Sequence, residues 1–148
     1  MMTDSLIAFL TARYDEAEAV ATAASPAPWH LNDEGDEVIA VDDITVAEAF
    51  ALSSNQQRAT AAYIARYDPA WALRDIAAKR AIVGQQTSDH APVEMAYGLC
   101  CRTCVDWQDD EGMHEFGIAI PHQWPCRVAR AVTASWSDHP DYRQEWAP

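Results

Sequence analysis

The sequence has little positive charge: 10 lysines and arginines stand against 23 aspartates and glutamates, and the formal charge is −13. Phosphate backbones and anionic lipid surfaces repel such a chain, so we expect no direct binding of nucleic acid. No apolar run reaches the roughly 18 residues that a membrane-spanning helix needs. The first ten residues also lack the positive charge of a secretory signal. We therefore expect a cytoplasmic protein that does not cross a membrane.

The sequence also lacks the short motifs of several enzyme classes. It contains no HExxH, P-loop, GxGxxG or GxSxG motif. The zinc deaminase pair of H-x-E and P-C-x-x-C is absent, because Glu115 directly follows His114 and Cys100 precedes Cys101 where a proline is required. Whether the chain is an enzyme stays open, and a non-enzymatic protein is the better interpretation.

Length and composition indicate one globular domain. The 148 residues are 49% apolar and 22% charged, which is ordinary for a protein with a packed core. We predict an α+β fold over residues 1–148, mostly helical, with about four helices, a small β-hairpin and an irregular zinc-stapled C-terminal segment. The helical part with the hairpin is predicted over 1–84, and the zinc-binding segment with the last helix over 85–148.

Apolar spacing and capping residues predict where the helices begin and end. Thr3 or Asp4 can cap the first helix, and Asp68-Pro69 combines an N-cap with a proline at the first helical position. Ser53 or Ser54 can restart a helix that is broken near these residues, and Gly84 can end the third helix. The predicted helices cover residues 4–24, 45–66, 69–83 and 125–134.

Residues 29–43 have the pattern of a β-hairpin. Residues 29–32 and 37–41 are the predicted strands, and the second is rich in β-branched side chains. The sequence Asp-Glu-Gly-Asp between them is typical of a turn, in which Gly35 can adopt a positive φ. A two-stranded ribbon is marginally stable alone, so we expect it to pack on helices.

The four cysteines lie in the last third of the chain. Cys101 and Cys104 form a CxxC, whose spacing allows two thiolates to bind one tetrahedral ion. Twenty-one residues separate Cys104 from Cys126, and ten residues separate His90 from Cys101. Together they make a complete Cys3His set, for which a structural Zn²⁺ is the expected cofactor. Reduced cysteines without metal are the simpler alternative, and a redox-active CxxC is a third.

The fourth ligand is less well defined than the three cysteines. We rank His90 first, Cys100 second and His122 third. Cys100 would require a shift of register beside Cys101, and His122 lies four residues before Cys126. His30 and His139 are interpreted as surface or capping residues.

Acidic residues are unevenly distributed. Between Tyr14 and Gln57 there are ten acidic residues and no lysine or arginine. Such a segment can attract a basic partner, or it can serve solubility alone, since net charge bears on solubility and association rather than on fold.

Several motifs follow one another along the chain. They are Pro26-Ala27-Pro28-Trp29, Ile64-Ala65-Arg66-Tyr67-Asp68-Pro69, Lys79-Arg80, Cys101-Arg102-Thr103-Cys104, Trp124-Pro125-Cys126 and the end of the chain from Asp138 to Trp146. Their order resembles that of a family of short proteins of unknown function from actinobacteria and their phages. The resemblance covers nearly the whole chain. It implies a small cytosolic protein related to phages or prophages, and it brings no established activity.

Three functional hypotheses follow. The first is a non-enzymatic zinc-binding accessory protein that acts through an unidentified protein partner, for which the acidic segment allows a basic one. The alternative is an acidic decoy that imitates DNA and occupies a basic host protein. The second alternative is a zinc-dependent hydrolase or nuclease, which would need an open coordination position on the metal.

Overall fold

The structure is a computed structural model that describes residues 4–108 and 118–148. Within these residues it contains four α-helices and two three-stranded antiparallel sheets, which confirms the predicted α+β class. The helices are α1 (Ser5–Ala23), α2 (Ser54–Arg66), α3 (Pro69–Ile82) and α4 (Arg127–Thr133), and short 3-10 helices cover Ala134–Trp136 and Gln144–Trp146. The strands are β1 (His30–Leu31), β2 (Glu37–Ile39), β3 (Thr45–Glu48), β4 (Pro92–Met95), β5 (Gly98–Gln108) and β6 (Ile118–Gln123).

The chain divides into two compact units. One consists of Tyr14–Ala77, and the other of Met1–Arg13 together with Ala78–Pro148. The predicted organisation as a single domain, with a division at residue 84, remains a prediction. Among the described helices, none combines the length and the apolar character needed to cross a membrane.

The unit Tyr14–Ala77 contains the sheet of strands β1, β2 and β3, in that order. The predicted hairpin therefore gains a third strand, and residues 45–48 are extended rather than helical. Val38 pairs with Leu31 on one side and with Ala47 on the other. Val38, Ala49 and Ala61 form a buried cluster, on which α2 packs through Ile64. The pairing of β3 with β2 thus overrides the helical expectation for residues 45–52.

Three local signals in this unit act as the sequence predicts. The side chain of Ser53 accepts the backbone N–H of Gln56 at 3.2 Å and begins α2. In the turn, Gly35 adopts a φ of +76°, and Asn32 Oδ1 accepts its backbone N–H at 2.8 Å. Asp68 Oδ1 accepts the backbone N–H of Trp71 at 2.8 Å, as an N-cap of α3 does. These elements are set by bonds between residues three or four positions apart.

The other unit contains the sheet of strands β4, β5 and β6, in that order. Residues 85–125 are therefore more regular than expected, because most of the described part of this segment is paired in the sheet. At the start of α1, Asp4 Oδ1 accepts the backbone N–H groups of Leu6 and Ile7 at 3.0 and 3.2 Å. Of the two predicted caps, Asp4 acts as one, and Thr3 lies outside the described residues. Leu6 and Leu10 are buried.

Candidate metal centre

The CxxC motif lies in an irregularity of strand β5. Cys100 pairs with Gln123 of β6, whereas Val105 pairs with Pro121, so five residue steps in β5 face only two steps in β6. The surplus residues in β5 include Cys101 and Cys104. A bulge of this kind bends the strand and redirects its side chains. Both cysteines consequently reach the same site, although they lie on a strand.

His90 is held beside this bulge by the end of helix α3. The backbone N–H of His90 donates to the carbonyl of Ile82 at 2.8 Å, and that of Asp89 donates to Ala81 at 2.9 Å. His90 also forms a parallel bridge with Val83. The last turn of α3 therefore positions the imidazole through backbone bonds.

The two residues between Cys101 and Cys104 bind the segment that carries His90. The guanidinium of Arg102 donates to the carbonyl of Gln86 and, at 3.5 Å, to that of Ser88. The Thr103 hydroxyl donates to the carbonyl of Asp89, and the Arg102 backbone N–H donates to Ala91 at 2.9 Å. The CxxC thus contributes two cysteines and, between them, the contacts that hold the histidine segment.

Cys126 reaches the site from the start of helix α4. It is the N-cap residue of α4, and it is buried. Two residues earlier, the Trp124 backbone N–H donates to the carbonyl of Leu99 in β5 at 3.0 Å. This bond ties the start of α4 to the strand that carries the CxxC.

These elements bring together the four side chains that the sequence singled out. The Nδ1 atom of His90 lies 3.5 Å from the sulfur of Cys101, 3.4 Å from that of Cys104 and 3.6 Å from that of Cys126. All four ligand atoms lie within 4.8 Å of one another. One imidazole nitrogen carries either one proton or one lone pair, so hydrogen bonding satisfies only one of these three contacts. The arrangement could hold a metal ion.

The distances fit a tetrahedral ion. With metal–sulfur bonds of about 2.3 Å and a metal–nitrogen bond of about 2.0 Å, a tetrahedral angle separates sulfur and nitrogen by roughly 3.5 Å. The three separations observed agree with this value to within a few tenths of an ångström. The residues present therefore fit a Cys3His centre in both donor chemistry and spacing.

Two thiols of this cluster, those of Cys104 and Cys126, have a raised pKa. Burial, together with contacts from the Cys101 and Cys126 thiols, raises the pKa of Cys104 from 9.0 to about 12. Burial also raises the pKa of Cys126, and the backbone N–H of Ala129 opposes that rise. Clustered thiolates repel one another, and a bound divalent cation would remove this penalty.

The other candidate ligands lie elsewhere in the described chain. Cys100 is buried and pairs with Val93 and Gln123 in the sheet, outside the group of four. His122 places its Nε2 3.0 Å from Asp106 Oδ1, across strands β5 and β6. His139 accepts the backbone N–H of Asp141 at 3.1 Å, which fits the predicted capping role. None of the four cysteines forms a disulfide.

Sequence reasoning missed the residues that position the ligands. One of them is Arg102, whose guanidinium binds the backbone carbonyls of Gln86 and Ser88. Ser88 also contributes, because its hydroxyl donates to the carbonyl of Arg80 at 2.7 Å. Its buried neighbour Gly84 has no room for a side chain: a Cβ there would lie 2.6 Å from Ser88 Oγ. No local signal in the sequence marks these contacts, since each joins residues at least four positions apart.

Comparison with known proteins identifies the family. Residues 3–148 match the family of unknown function DUF6221, and the chain belongs to this family. No curated protein and no solved structure matches the chain. The expected membership in a family without an assigned activity is thereby confirmed.

Proposed function

We propose that this chain is a non-enzymatic protein that is stabilised by one structural Zn²⁺ and acts by binding another protein. The observation that carries the zinc assignment is the placement of three cysteine sulfurs at 3.4 to 3.6 Å from the single nitrogen Nδ1 of His90. Three thiolates and an imidazole are ligands that Zn²⁺ prefers, and four protein ligands complete its usual structural coordination.

The expected energy of such a centre is large for a chain of this size. Structural zinc sites in finger peptides contribute about 10–16 kcal/mol of apparent binding energy, whereas whole domains are stable by about 5–15 kcal/mol. The four ligands come from separate parts of one unit, so the ion would cross-link them. We expect loss of the metal to unfold residues 85–126.

The test is the metal content of untagged protein purified without chelator, measured beside three variants. Wild-type protein is expected to carry about one zinc per chain. Cys104→Ser and His90→Ala are expected to lose it, while Cys100→Ala keeps it because Cys100 lies outside the group of four. Wild-type protein without metal, or with metal that Cys104→Ser retains, would refute the zinc assignment.

A hydrolase or nuclease would require a coordination position open to water. The four protein ligands proposed here fill a tetrahedral shell, which favours the structural role. X-ray absorption on the zinc-loaded protein distinguishes the two: three sulfurs and one nitrogen support the proposal, and an oxygen neighbour in place of a protein ligand supports the hydrolase.

The partner-binding part of the proposal rests on charge. The unit Tyr14–Ala77 carries twelve acidic and three basic residues, a formal charge of −9. Such a field attracts basic partners and speeds their association. The same charge favours the alternative of an acidic decoy that imitates DNA. A decoy binds through its overall field, so reversing any four of these acids should weaken it similarly, whereas a specific partner depends on particular residues.

The setting of the protein is also part of the proposal. A cytoplasmic location would keep the four cysteines reduced and available to zinc. The relation to phages or prophages rests on the resemblance of the motifs, and the genes that flank this one in its genome would test it.

A further inference from the structure

Two large apolar side chains project into solvent from the loop between β3 and α2. The side chain of Phe50 is 78% exposed and that of Leu52 is 104% exposed. Single exposed apolar residues are common on protein surfaces. This pair is distinctive because its members are separated by one residue and the loop that carries them is anchored at both ends.

The anchoring bonds lie on either side of the exposed pair. Ala49 is buried, and its backbone N–H donates to the carbonyl of Asp36 at 2.8 Å. Its own carbonyl accepts the side-chain amide of Gln57 at 2.8 Å. After the pair, Ser53 caps α2. These bonds anchor the backbone directly before Phe50 and directly after Leu52, which reduces the backbone entropy that binding must overcome.

The sheet beside this loop contains a pair of like charges. Glu37 of β2 and Glu48 of β3 are directly opposite one another in the antiparallel register. Like charges at such positions destabilise a sheet. A cation placed between the two carboxylates would relieve this repulsion, and Glu48 is only two residues from Phe50. The acidic balance of the whole unit adds a longer-range attraction for the same cation.

We propose that Phe50 and Leu52, together with Glu37 and Glu48, form a docking surface for a segment of another protein. The occupant carries apolar side chains that cover the exposed pair and a lysine or arginine that binds between the two glutamates. Buried apolar anchors beside a charged rim are the usual anatomy of such contacts. This inference rests on the partner-binding part of the proposed function and is independent of the zinc.

The experiment is a selection of peptides from a random displayed library against the full-length, zinc-loaded protein. Enriched peptides are expected to combine apolar residues with lysine or arginine. They should bind wild-type protein at least about tenfold more tightly than the double variant F50S/L52S, a loss typical of interface anchors. Val20→Ser is the matched control, because Val20 belongs to the same unit and is 67% exposed, but it is not part of the proposed docking surface.

Glu48→Gln provides a second test, because we expect it to stabilise the free protein and to weaken peptide binding. It should raise the melting temperature of the free protein, because the repulsion with Glu37 is removed, and it should weaken binding of the selected peptides. If Glu48 had a purely structural role, its replacement would not stabilise the fold and weaken peptide binding at the same time. Circular dichroism and a peptide titration measure the two effects.

Several outcomes would overturn the docking surface. The first two are the absence of enriched peptides and the enrichment of neutral or acidic peptides. The third is equal binding of the peptides to wild type and F50S/L52S, a result that favours the decoy. A dimer that F50S/L52S dissolves would show that a second copy covers the surface. Zinc content measured on the same samples separates the two proposals, since these substitutions leave the metal ligands intact.

Discussion

The carboxylate of Asp4 joins the start of helix α1 to Trp124, two residues before a candidate metal ligand. Its Oδ1 atom accepts the indole N–H of Trp124 at 3.0 Å and also accepts the backbone N–H groups that begin the helix. Trp124 is buried. One side chain therefore caps a helix and satisfies a buried donor more than a hundred positions away in the chain.

Replacing this carboxylate should destabilise the protein through both bonds. Asp4→Ala is expected to cost about 1–3 kcal/mol, since it removes an N-cap and leaves the buried indole N–H without its acceptor. Asp4→Asn is the control, because asparagine caps helices as well as aspartate does and still offers an oxygen to the indole. Chemical denaturation measures the difference; equal losses in the two variants would contradict the assignment.

The close approach of Gly84 to Ser88 predicts a cost for any side chain at position 84. In Gly84→Ala the new Cβ would lie 2.6 Å from Ser88 Oγ and 3.2 Å from the carbonyl oxygen of Arg80. We expect a loss of about 1–3 kcal/mol, as for other overpacked sites. Adding Ser88→Ala removes the closer contact and should recover part of that loss. A double-mutant cycle on the zinc-loaded protein tests this, and simple additivity would argue against the contact.

Arg102 should influence metal affinity by holding the His90 segment rather than by its charge. Arg102→Ala removes the bonds to the carbonyls of Gln86 and Ser88, and we expect zinc affinity to fall about tenfold, as for other outer-shell contacts. Arg127→Ala is the matched control: it removes an equal charge one residue after Cys126 from an exposed position. Competition with a chromophoric chelator measures both. Similar losses would point to charge instead of position.

The raised pKa of Cys104 predicts the pH dependence of zinc binding. In the metal-free site this thiol, with a pKa of about 12, stays protonated through neutral and moderately alkaline pH. Zinc must displace that proton, so apparent affinity should increase as pH rises and decrease under acid. Proton release per zinc, followed in weakly buffered titrations, should continue above pH 9. If release ends near the ordinary thiol pKa of 9.0, the cluster is not assembled before the metal binds.

The raised pKa of Cys104 also predicts that the metal-free fold loses stability at alkaline pH. A thiol whose pKa is raised by folding contributes stability at pH values below its unfolded pKa, and this contribution is lost as pH rises through the folded pKa. For Cys104 this loss of stability occurs between pH 9.0 and about pH 12. Zinc-loaded protein should lack this alkaline loss, because its thiols are already ionised on the metal.

Local signals in the sequence predicted several elements well. Asp68 and Pro69 begin α3, Ser53 caps α2, and Gly35 occupies the turn with a positive φ. Each of these features depends on bonds between residues a few positions apart, so a short stretch of sequence contains all the groups involved.

Strand pairing was predicted less well. Residues 45–48 were expected in a helix, yet they pair with β2, and the described part of residues 85–125 forms three strands where little regular structure was expected. Pairing depends on partners that are distant in the chain, and local spacing says little about them. The bulge in β5 is a further example, because it exists only relative to β6.

The sequence by itself determined the chemistry of the site: the CxxC spacing places two thiolates within reach of one ion, and Cys126 adds a third. It left His90, Cys100 and His122 as alternatives for the fourth ligand. The tertiary structure decided which imidazole or thiol joins the three thiolates. The bridge between Val83 and His90 and the irregular register of β5 bring His90 to the three sulfurs, while Cys100 and His122 pair elsewhere. Spacing along the chain limits only how far apart two residues can lie, and backbone pairing settles which of them meet.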